Sequence, residues 1–130
     1  MADVLGVIPN ISNDSVWYVL NASQNLVISN RINGSQSSKT YDVGVFRALV
    51  IVSQSIELGG NGYHLSPPLI MIPNTSSVIP CLFTGSKYYI SDSYEYIRFE
   101  TTSNQLIVTL KDNSGTTYDA AYSLLISIFE

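Results

Sequence analysis

The sequence predicts an all-β protein, an antiparallel β-sandwich of jelly-roll or Greek-key type with about eight to ten short strands. Its apolar residues fall in short runs bounded by Gly, Asn, Ser or Pro, which is the spacing of strands and turns. These runs are rich in β-branched and aromatic residues, which favour strands. Hydrophobic residues make up 45% of the 130 positions, enough for one core. We therefore predict a single domain over residues 1–130, with 1–14 as an extended N-terminal arm.

Four segments organise the N-terminal half. Residues 16–20 and 26–32 are β-branched and aromatic, and a polar break separates them, so we predict two strands. A polar loop is expected from Asn33 through Ser38, since Asn and Gly readily adopt a positive φ. The apolar pattern of residues 43–58 alternates imperfectly and fits one bent strand or two.

Glycine and proline mark the middle of the chain. Residues 59–62 hold three glycines in four positions, which predicts a hairpin or a binding loop. Prolines at 67, 68 and 73 bracket residues 69–72, and proline cannot donate to a strand ladder, so this run is predicted to be an edge strand. Pro80 weakens the next run in the same way.

The C-terminal third contains four predicted strands, at residues 87–91, 94–101, 105–111 and 120–129. In the last of them both faces are apolar enough to be covered. A strand buried on both faces is either central in its sheet or packed against another subunit. The period of two places Tyr118, Ala120, Tyr122, Leu124, Ile126 and Ile128 on one face and Ala121, Ser123, Leu125, Ser127 and Phe129 on the other.

Charge and hydropathy argue against two classes of partner. Charged residues are 12% of the chain, the net charge is -4, and the pI is about 4.7, so nothing provides a basic surface for nucleic acid or anionic lipid. No run approaches the length of about 18 apolar residues that a membrane span needs. The N-terminus lacks the basic and apolar regions of a signal peptide. We expect a protein made in the cytoplasm, without nucleic acid binding or membrane insertion.

Reactive side chains are too few for the common catalytic constellations. One cysteine and one histidine cannot form a disulfide or a Cys/His metal site. Cys81 lies in an apolar run and is predicted to be a buried, inert thiol. His64 follows the glycine-rich segment, where it is either a ligand-binding residue or an ordinary surface histidine.

Carboxylates offer a weaker case for chemistry. Asp92 with Glu95, or Asp112 with Asp119, are close enough in sequence to act as an acid and base pair, but turn and solvent-facing strand positions explain them better. Residues 112–115 resemble the start of a calcium loop but lack the bidentate Glu and the flanking helices. We predict no enzyme activity, no catalytic residue, no metal and no cofactor.

Tyrosines and the glycine-rich segment are the predicted ligand-binding features. Tyrosine combines a rigid apolar face with a hydroxyl and suits protein hot spots and sugar rings. The alternative is that alternating tyrosines only cover a half-exposed sheet. The candidate binding residues are Gly60, Asn61, Tyr63 and His64 in one patch and Tyr88, Tyr89, Tyr94 and Tyr96 in the other.

Two segments resemble the heads of adenovirus-type fibres: Ser15-Val16-Trp17-Tyr18, with its tryptophan in an early predicted strand, and residues 121–130, in the terminal strand. The cysteine-poor composition, rich in Ser, Asn, Gly and Tyr, is also similar to that of bacteriophage receptor-binding tips. The resemblance implies a homotrimeric β-sandwich in a virion, in contact with other virion proteins. Its loops would bind a host-surface glycan or protein.

Three other classes remain open: a stand-alone lectin or carbohydrate-binding module, a purely structural virion protein, and a small enzyme on a β-sandwich. We expect an oligomer, with a trimer favoured. Hydrophobic residues are 45% of the chain and charged residues 12%, which is more apolar surface than one small domain can easily bury. The mass in solution would separate a trimeric head from a monomeric or dimeric lectin. A glycan array would then identify the ligand.

Overall fold

A computed structural model describes residues 13–33, 36–58, 61–65, 68–79, 82–83, 96–111 and 119–130. The described part has one helix, α1 (Asn13–Asn21), and ten strands. The first five strands are β1 (Gln24–Asn33), β2 (Gln36–Asp42), β3 (Ala48–Leu58), β4 (Asn61–His64) and β5 (Leu69–Met71). The others are β6 (Ser76–Ile79), β7 (Leu82–Phe83), β8 (Tyr96–Thr101), β9 (Gln105–Lys111) and β10 (Asp119–Phe129).

The strands form two antiparallel sheets, which confirms the predicted all-β sandwich. The large sheet has the order β1-β10-β3-β4-β7, with β5 also paired to β3. The small sheet has the order β2-β9-β8-β6. β10 lies between β1 and β3, and β9 between β2 and β8, so strands distant in the chain become neighbours.

The core lies between the two sheets. Both contribute side chains that are completely inaccessible to solvent, because alternate residues of each strand point inward. The inward set includes Leu49, Ile51, Leu124 and Ile126 from the large sheet and Ile97, Phe99, Leu106, Val108 and Leu110 from the small sheet.

Of the two alternatives for the terminal strand, the structure has the one in which the strand is central in its sheet. One face of β10, from Ala120 to Ile128 at period two, belongs to the main core. Leu125, on the opposite face, is only 1% exposed. Because β10 pairs with both β1 and β3, its backbone has a neighbour on each side. A bulge between Ser123 and Leu124 shifts its register with β3.

The strand predicted at residues 16–20 is wrong: these residues lie in α1. Val19 packs there against Val52 of β3 and Leu125 of β10, so the helix covers part of the outer face of the large sheet. Burial of that apolar face outweighs the strand preference of β-branched and aromatic residues, since propensity is a weak determinant beside tertiary packing. Asn13 and Asp14 also belong to the helix, so the predicted arm at 1–14 is wrong for these two residues, and residues 1–12 lie outside the described part.

The loop predicted from Asn33 through Ser38 is too long, because β2 already begins at Gln36. The sequence pattern does not predict this strand, because its residues are polar except for Tyr41, which packs partly against the core. It is the edge of the small sheet as described, with β9 as its neighbour, and edge strands tolerate polar and charged residues.

Of the two alternatives for residues 43–58, the structure has one strand, β3, which begins at Ala48. The preceding connection contains Gly44 at φ +73°, a conformation that favours glycine. The glycine-rich segment joins a hairpin, since Leu58 of β3 pairs with Asn61 of β4. The predicted edge strand at 69–72 is confirmed as β5, Leu69–Met71.

Candidate functional site

An aromatic cluster lies where α1 meets the end of β10. The rings of Trp17 and Phe129 are stacked, with centroids 6.3 Å apart and planes 15° apart. Tyr18 meets both rings edge-on, at 5.5 Å from Trp17 and 6.4 Å from Phe129. Such offset and edge-on pairs are favourable aromatic arrangements. Trp17 is nevertheless 61% exposed, so most of this large side chain is accessible to a partner.

Local contacts fix the helix that presents this cluster. The Asn21 side-chain amide donates to the carbonyl oxygen of Trp17 at 2.8 Å, and the Ala22 amide donates to that of Tyr18 at 3.0 Å. The Asn25 side-chain amide donates to the carbonyl oxygen of Val19 at 3.0 Å and ties the helix end to β1. The bonds to Tyr18 and Val19 satisfy carbonyl groups that a helix end would leave unpaired.

An apolar groove of about 300 Å³ runs beside the cluster, and we call it the aromatic groove. Its walls are the aromatic residues of α1 on one side and Ile70 of β5 on the other. The register places Ile70 opposite Val50, so both lie on the outer face of the large sheet. The described residues that line the groove are Trp17, Tyr18, Arg47, Ala48, Val50, Ile70 and Phe129.

Arg47 supplies the positive charge of the aromatic groove. Its backbone amide donates to the carbonyl oxygen of Phe129 at 2.7 Å, and its side-chain Nε donates to the main-chain oxygen of Glu130 at 2.7 Å. Two bonds to the end of β10 therefore hold this exposed guanidinium beside the apolar walls.

A second depression, the polar trough, lies on the same face of the large sheet beyond the helix and has a volume of about 320 Å³. Ser29, Ser123 and Ser55 lie side by side on β1, β10 and β3. Next to them Arg31 and Glu57 approach to 3.4 Å across Ala121. The small side chains between this pair leave the depression, and hydroxyl, guanidinium and carboxylate groups make it polar.

Two tyrosines link the sheets near the trough. The hydroxyl groups of Tyr41 on β2 and Tyr122 on β10 are 2.5 Å apart, within hydrogen-bond distance. Burial raises the pKa of Tyr122 far above its ordinary value, and the bond to Tyr41 adds to the rise. Burial also raises the pKa of Tyr41, although its bond to Tyr122 acts in the opposite direction. Both phenols are therefore uncharged at neutral pH and serve as a polar connection between the sheets.

The described part of the predicted glycine-rich patch lies in the large sheet. The backbone of β4 pairs with β3 and β7, with Tyr63 opposite Ile56 and Phe83, and His64 opposite Leu82. The side chains of Asn61, Tyr63 and His64 lie outside what the structure describes, as does Gly60. A binding role for these residues stays a prediction.

Of the predicted tyrosine cluster, Tyr96 is described, whereas Tyr88, Tyr89 and Tyr94 lie outside the described residues. Tyr96 is on β8 of the small sheet and is 5% exposed. The Arg98 guanidinium carbon is 4.9 Å from its ring centroid, and the Lys111 ammonium nitrogen is 5.8 Å away. The Tyr96 ring is thus covered and contacts cations, a placement that fits the covering alternative. It is in a different sheet from β4, so the described members of the two predicted patches do not meet.

Sequence reasoning did not identify the aromatic groove. The sequence pattern predicts a strand at Trp17, and it indicates neither Arg47 nor Ile70 as a binding residue. One signal was available: Leu125 and Phe129 form an apolar outer face on β10 that some other element must cover.

Metal binding and catalysis receive no further support from the described residues. No group of three His, Cys, Asp or Glu side chains in that part is placed to hold a metal ion. Cys81, Asp92, Glu95 and residues 112–118 lie outside it, and of Asp119 the backbone alone is described. The expectations of no metal and no enzyme activity stay predictions. Within the same part, α1 is too short to cross a bilayer.

Comparisons with known proteins gave no relative. No family model, no curated protein and no solved structure matches the chain. Function therefore has to be inferred from the geometry of the two depressions on the large sheet.

Proposed function

We propose that the protein is a non-catalytic attachment module, as the receptor-binding head of a viral or bacteriophage fibre is, and that it binds a host-surface glycan or protein in the aromatic groove. The exposed Trp17, held against Phe129 and Tyr18, is the observation that carries this proposal. A large ring that is already fixed in place loses little conformational entropy on binding. Tryptophan is also among the residues that contribute most to binding energy in interfaces.

The composition of the aromatic groove supports binding rather than chemistry. Among its described residues, Arg47 and Tyr18 are the ones with ionisable side chains, and no nucleophile lies beside a general base. Apolar walls with a few polar groups are typical of ligand sites.

The proposal is tested by replacing the exposed ring. Trp17→Ala should weaken binding to host cells, or to a glycan array on which the parent shows binding, by about tenfold or more, as expected for a tryptophan hot spot. Val45→Ala is the matched control, because Val45 is also an exposed apolar residue but does not line the groove. Equal binding by the parent and by folded Trp17→Ala would refute the aromatic groove as the site.

Double variants test the patches predicted from the sequence. Tyr63→Ala with His64→Ala, and Tyr88→Ala with Tyr94→Ala, should leave binding intact if the aromatic groove is the principal site. A loss of binding in either folded variant would move the site to that patch. If the parent binds no cell and no glycan, the attachment role is wrong and a structural role in the virion takes its place.

We also propose that the protein works as a homo-oligomer, with a trimer favoured. Single shallow sites bind weakly, and multivalent display raises avidity by about a hundredfold or more when the sites engage together. Sedimentation at micromolar concentration should give three times the chain mass of 14.3 kDa. A single chain in solution would contradict the oligomer, and a monomer or dimer that still binds sugar would be a lectin.

A further inference from the structure

We infer that β1 is the contact through which two copies of this chain pair, edge to edge, into one continuous antiparallel sheet. β1 is the outermost strand of the large sheet as described, with β10 on one side and no described strand on the other. An open strand edge presents rows of N–H and C=O groups, and the structure that matches them is another strand. The pairing concerns assembly, so it goes beyond the proposed function and does not depend on it.

β1 lacks the features by which proteins protect such an edge. Its ten residues pair with β10 without a register shift, contain no proline and carry one charge, at Arg31. Val27, on the outer face, is apolar and yet 56% exposed. In β2, the edge strand of the small sheet, Lys39 lies opposite the core residue Val108, so a charge falls on the core-facing side. An inward charge of this kind blocks edge pairing, so one of these two described edges is protected and the other is open.

Alternation along the strands decides which backbone groups of β1 point away from β10. The Ile128 carbonyl oxygen of β10 accepts from the amide of Ser23, just before β1, so Ile128 directs its backbone groups at that strand. Ile128 is the partner of Gln24, and every second residue of an antiparallel pair faces its neighbour in this way. The odd-numbered residues of β1 therefore direct their N–H and C=O groups outward. The Arg31 amide agrees, because it donates to the side-chain oxygen of Asn30 at 3.0 Å.

The outward groups of β1 match a second copy of the same segment. Because the Arg31 amide already has an acceptor, the open stretch centres on Val27. A two-fold axis there sets Val27 opposite its copy and Asn25 opposite Ser29, and each of these pairs exchanges two backbone hydrogen bonds. The Ser29 carbonyl oxygen is 3.4 Å from the Tyr41 hydroxyl and has a second lone pair for this exchange.

The side chains fit the same register. On the core-facing side it sets Leu26, which is partly buried, beside Ile28 of the second copy. Residues 25–29 read polar, apolar, apolar, apolar, polar in either direction, so the segment matches its own reverse. It contains no charged residue, so no like charges meet. The occupant of this edge is therefore a second copy of the chain.

The two-fold axis of such a pair is normal to the sheet, because it relates antiparallel neighbours within one sheet. The outer faces of both copies, with their aromatic grooves, then lie on the same side. Combined with a three-fold contact elsewhere, the pairing would give six copies.

Sedimentation equilibrium of charge variants tests the pairing. The parent at micromolar concentration should have the mass of an even number of chains. Val27→Lys and Val27→Glu should each halve that mass, because like charges that meet on the axis weaken a pair by about a hundredfold or more. Circular dichroism should show an unchanged fold, since Val27 is exposed. Val45→Lys, at an exposed apolar residue outside β1, is the matched control and should keep the parent mass.

Mixing the two charge variants makes the test specific to the two-fold contact. An equimolar mixture of Val27→Lys and Val27→Glu should recover the parent mass, because opposite charges then meet across the axis. Hydrogen exchange of the parent is a second readout: the Val27 amide should be protected at high concentration and should exchange faster on dilution.

A parent of one chain, or of three chains as in an isolated trimer, would overturn the pairing. So would folded charge variants that keep the parent mass, or a mixture that recovers none of it. If the pairing fails while cells still bind through Trp17, the proposed function stands. If the masses behave as expected and the parent binds no cell and no glycan, the pairing stands and the attachment role fails.

Discussion

The outer face of the large sheet has two halves that differ in composition and in cover. Towards the end of β10 the face is apolar, and α1 lies over it with Val19 in contact with Val52 and Leu125. Towards the beginning of β10, the strands β1, β10 and β3 carry serines and the Arg31–Glu57 pair on this face. The polar trough there is open. One sheet face can thus be half core and half surface, and the composition of each half determines which it becomes.

The largest effect is expected from a charge under the helix. Leu125→Asp should destabilise the fold by about 3 kcal/mol or more, because a carboxylate there is buried without a partner. Thermal unfolding and the yield of soluble protein measure the effect. Ser29→Asp, on the same face in the open half, is the control and should stay within about 0.5 kcal/mol of the parent. A parent-like melting temperature for Leu125→Asp would show that this half is not core.

A smaller loss is expected when the helix loses its anchor. Val19→Ala removes two methyl groups from the contact with Val52 and Leu125 and should cost about 1.5 kcal/mol. Urea unfolding should show a lower midpoint with an unchanged slope. Leu20→Ala, in the same helix but exposed, should have little effect. Equal losses of stability in Val19→Ala and Leu20→Ala would show that Val19 is not the residue that anchors the helix to the sheet.

The bond between the sheets should contribute less, and in a pH-dependent way. Tyr122→Phe should cost about 1 kcal/mol at neutral pH, because Tyr41 loses its hydroxyl partner. The raised pKa of Tyr122 means that its stabilising effect is complete below the ordinary tyrosine value of 10.0 and is lost as the pH rises above that value. The stability difference between parent and variant should therefore narrow above pH 10, as measured by denaturant titrations across the alkaline range. A constant difference would argue against a buried phenol.

The smallest effect is expected in the open half. Arg31 and Glu57 are 3.4 Å apart, but their side chains are 56% and 51% exposed. Pairs of this kind contribute between about 0 and 1 kcal/mol, so Glu57→Gln should change stability by less than about 0.5 kcal/mol. The difference in unfolding free energy between the parent and Glu57→Gln should be nearly the same at low and at high salt. A loss comparable to that of Val19→Ala would show that the open half is structurally coupled to the core.

Much of the fold followed from local patterns, and the failures have a physical cause. β9 and β10 were predicted to within one residue because their alternation matches burial on the sheet. β2 was not predicted, because an edge strand needs no apolar pattern when one neighbour supplies its hydrogen bonds. α1 was mistaken for a strand because the decisive contact, Val19 with Leu125, joins residues far apart in the sequence.

The candidate site was harder to predict than the fold. Trp17 and Phe129 lie near opposite ends of the chain, and only the pairing of β10 with its neighbours brings them together. Tyrosine crowding drew attention to Tyr96, whose ring the structure shows covered by Arg98 and Lys111. Composition indicates which residues suit binding, whereas exposure depends on the tertiary fold.

The central position of β10 also has a consequence for how the chain reaches its native state. Gln24 pairs with Ile128 and Asn33 with Asp119, so β1 finds its partner only across almost the whole sequence. Folds dominated by such distant pairings have high contact order and fold slowly, over milliseconds to seconds. A nascent chain on the ribosome cannot close the large sheet until β10 has been synthesised. Until then the edge of β3 that pairs with β10 has no partner, and chaperone binding during translation would protect it from aggregation.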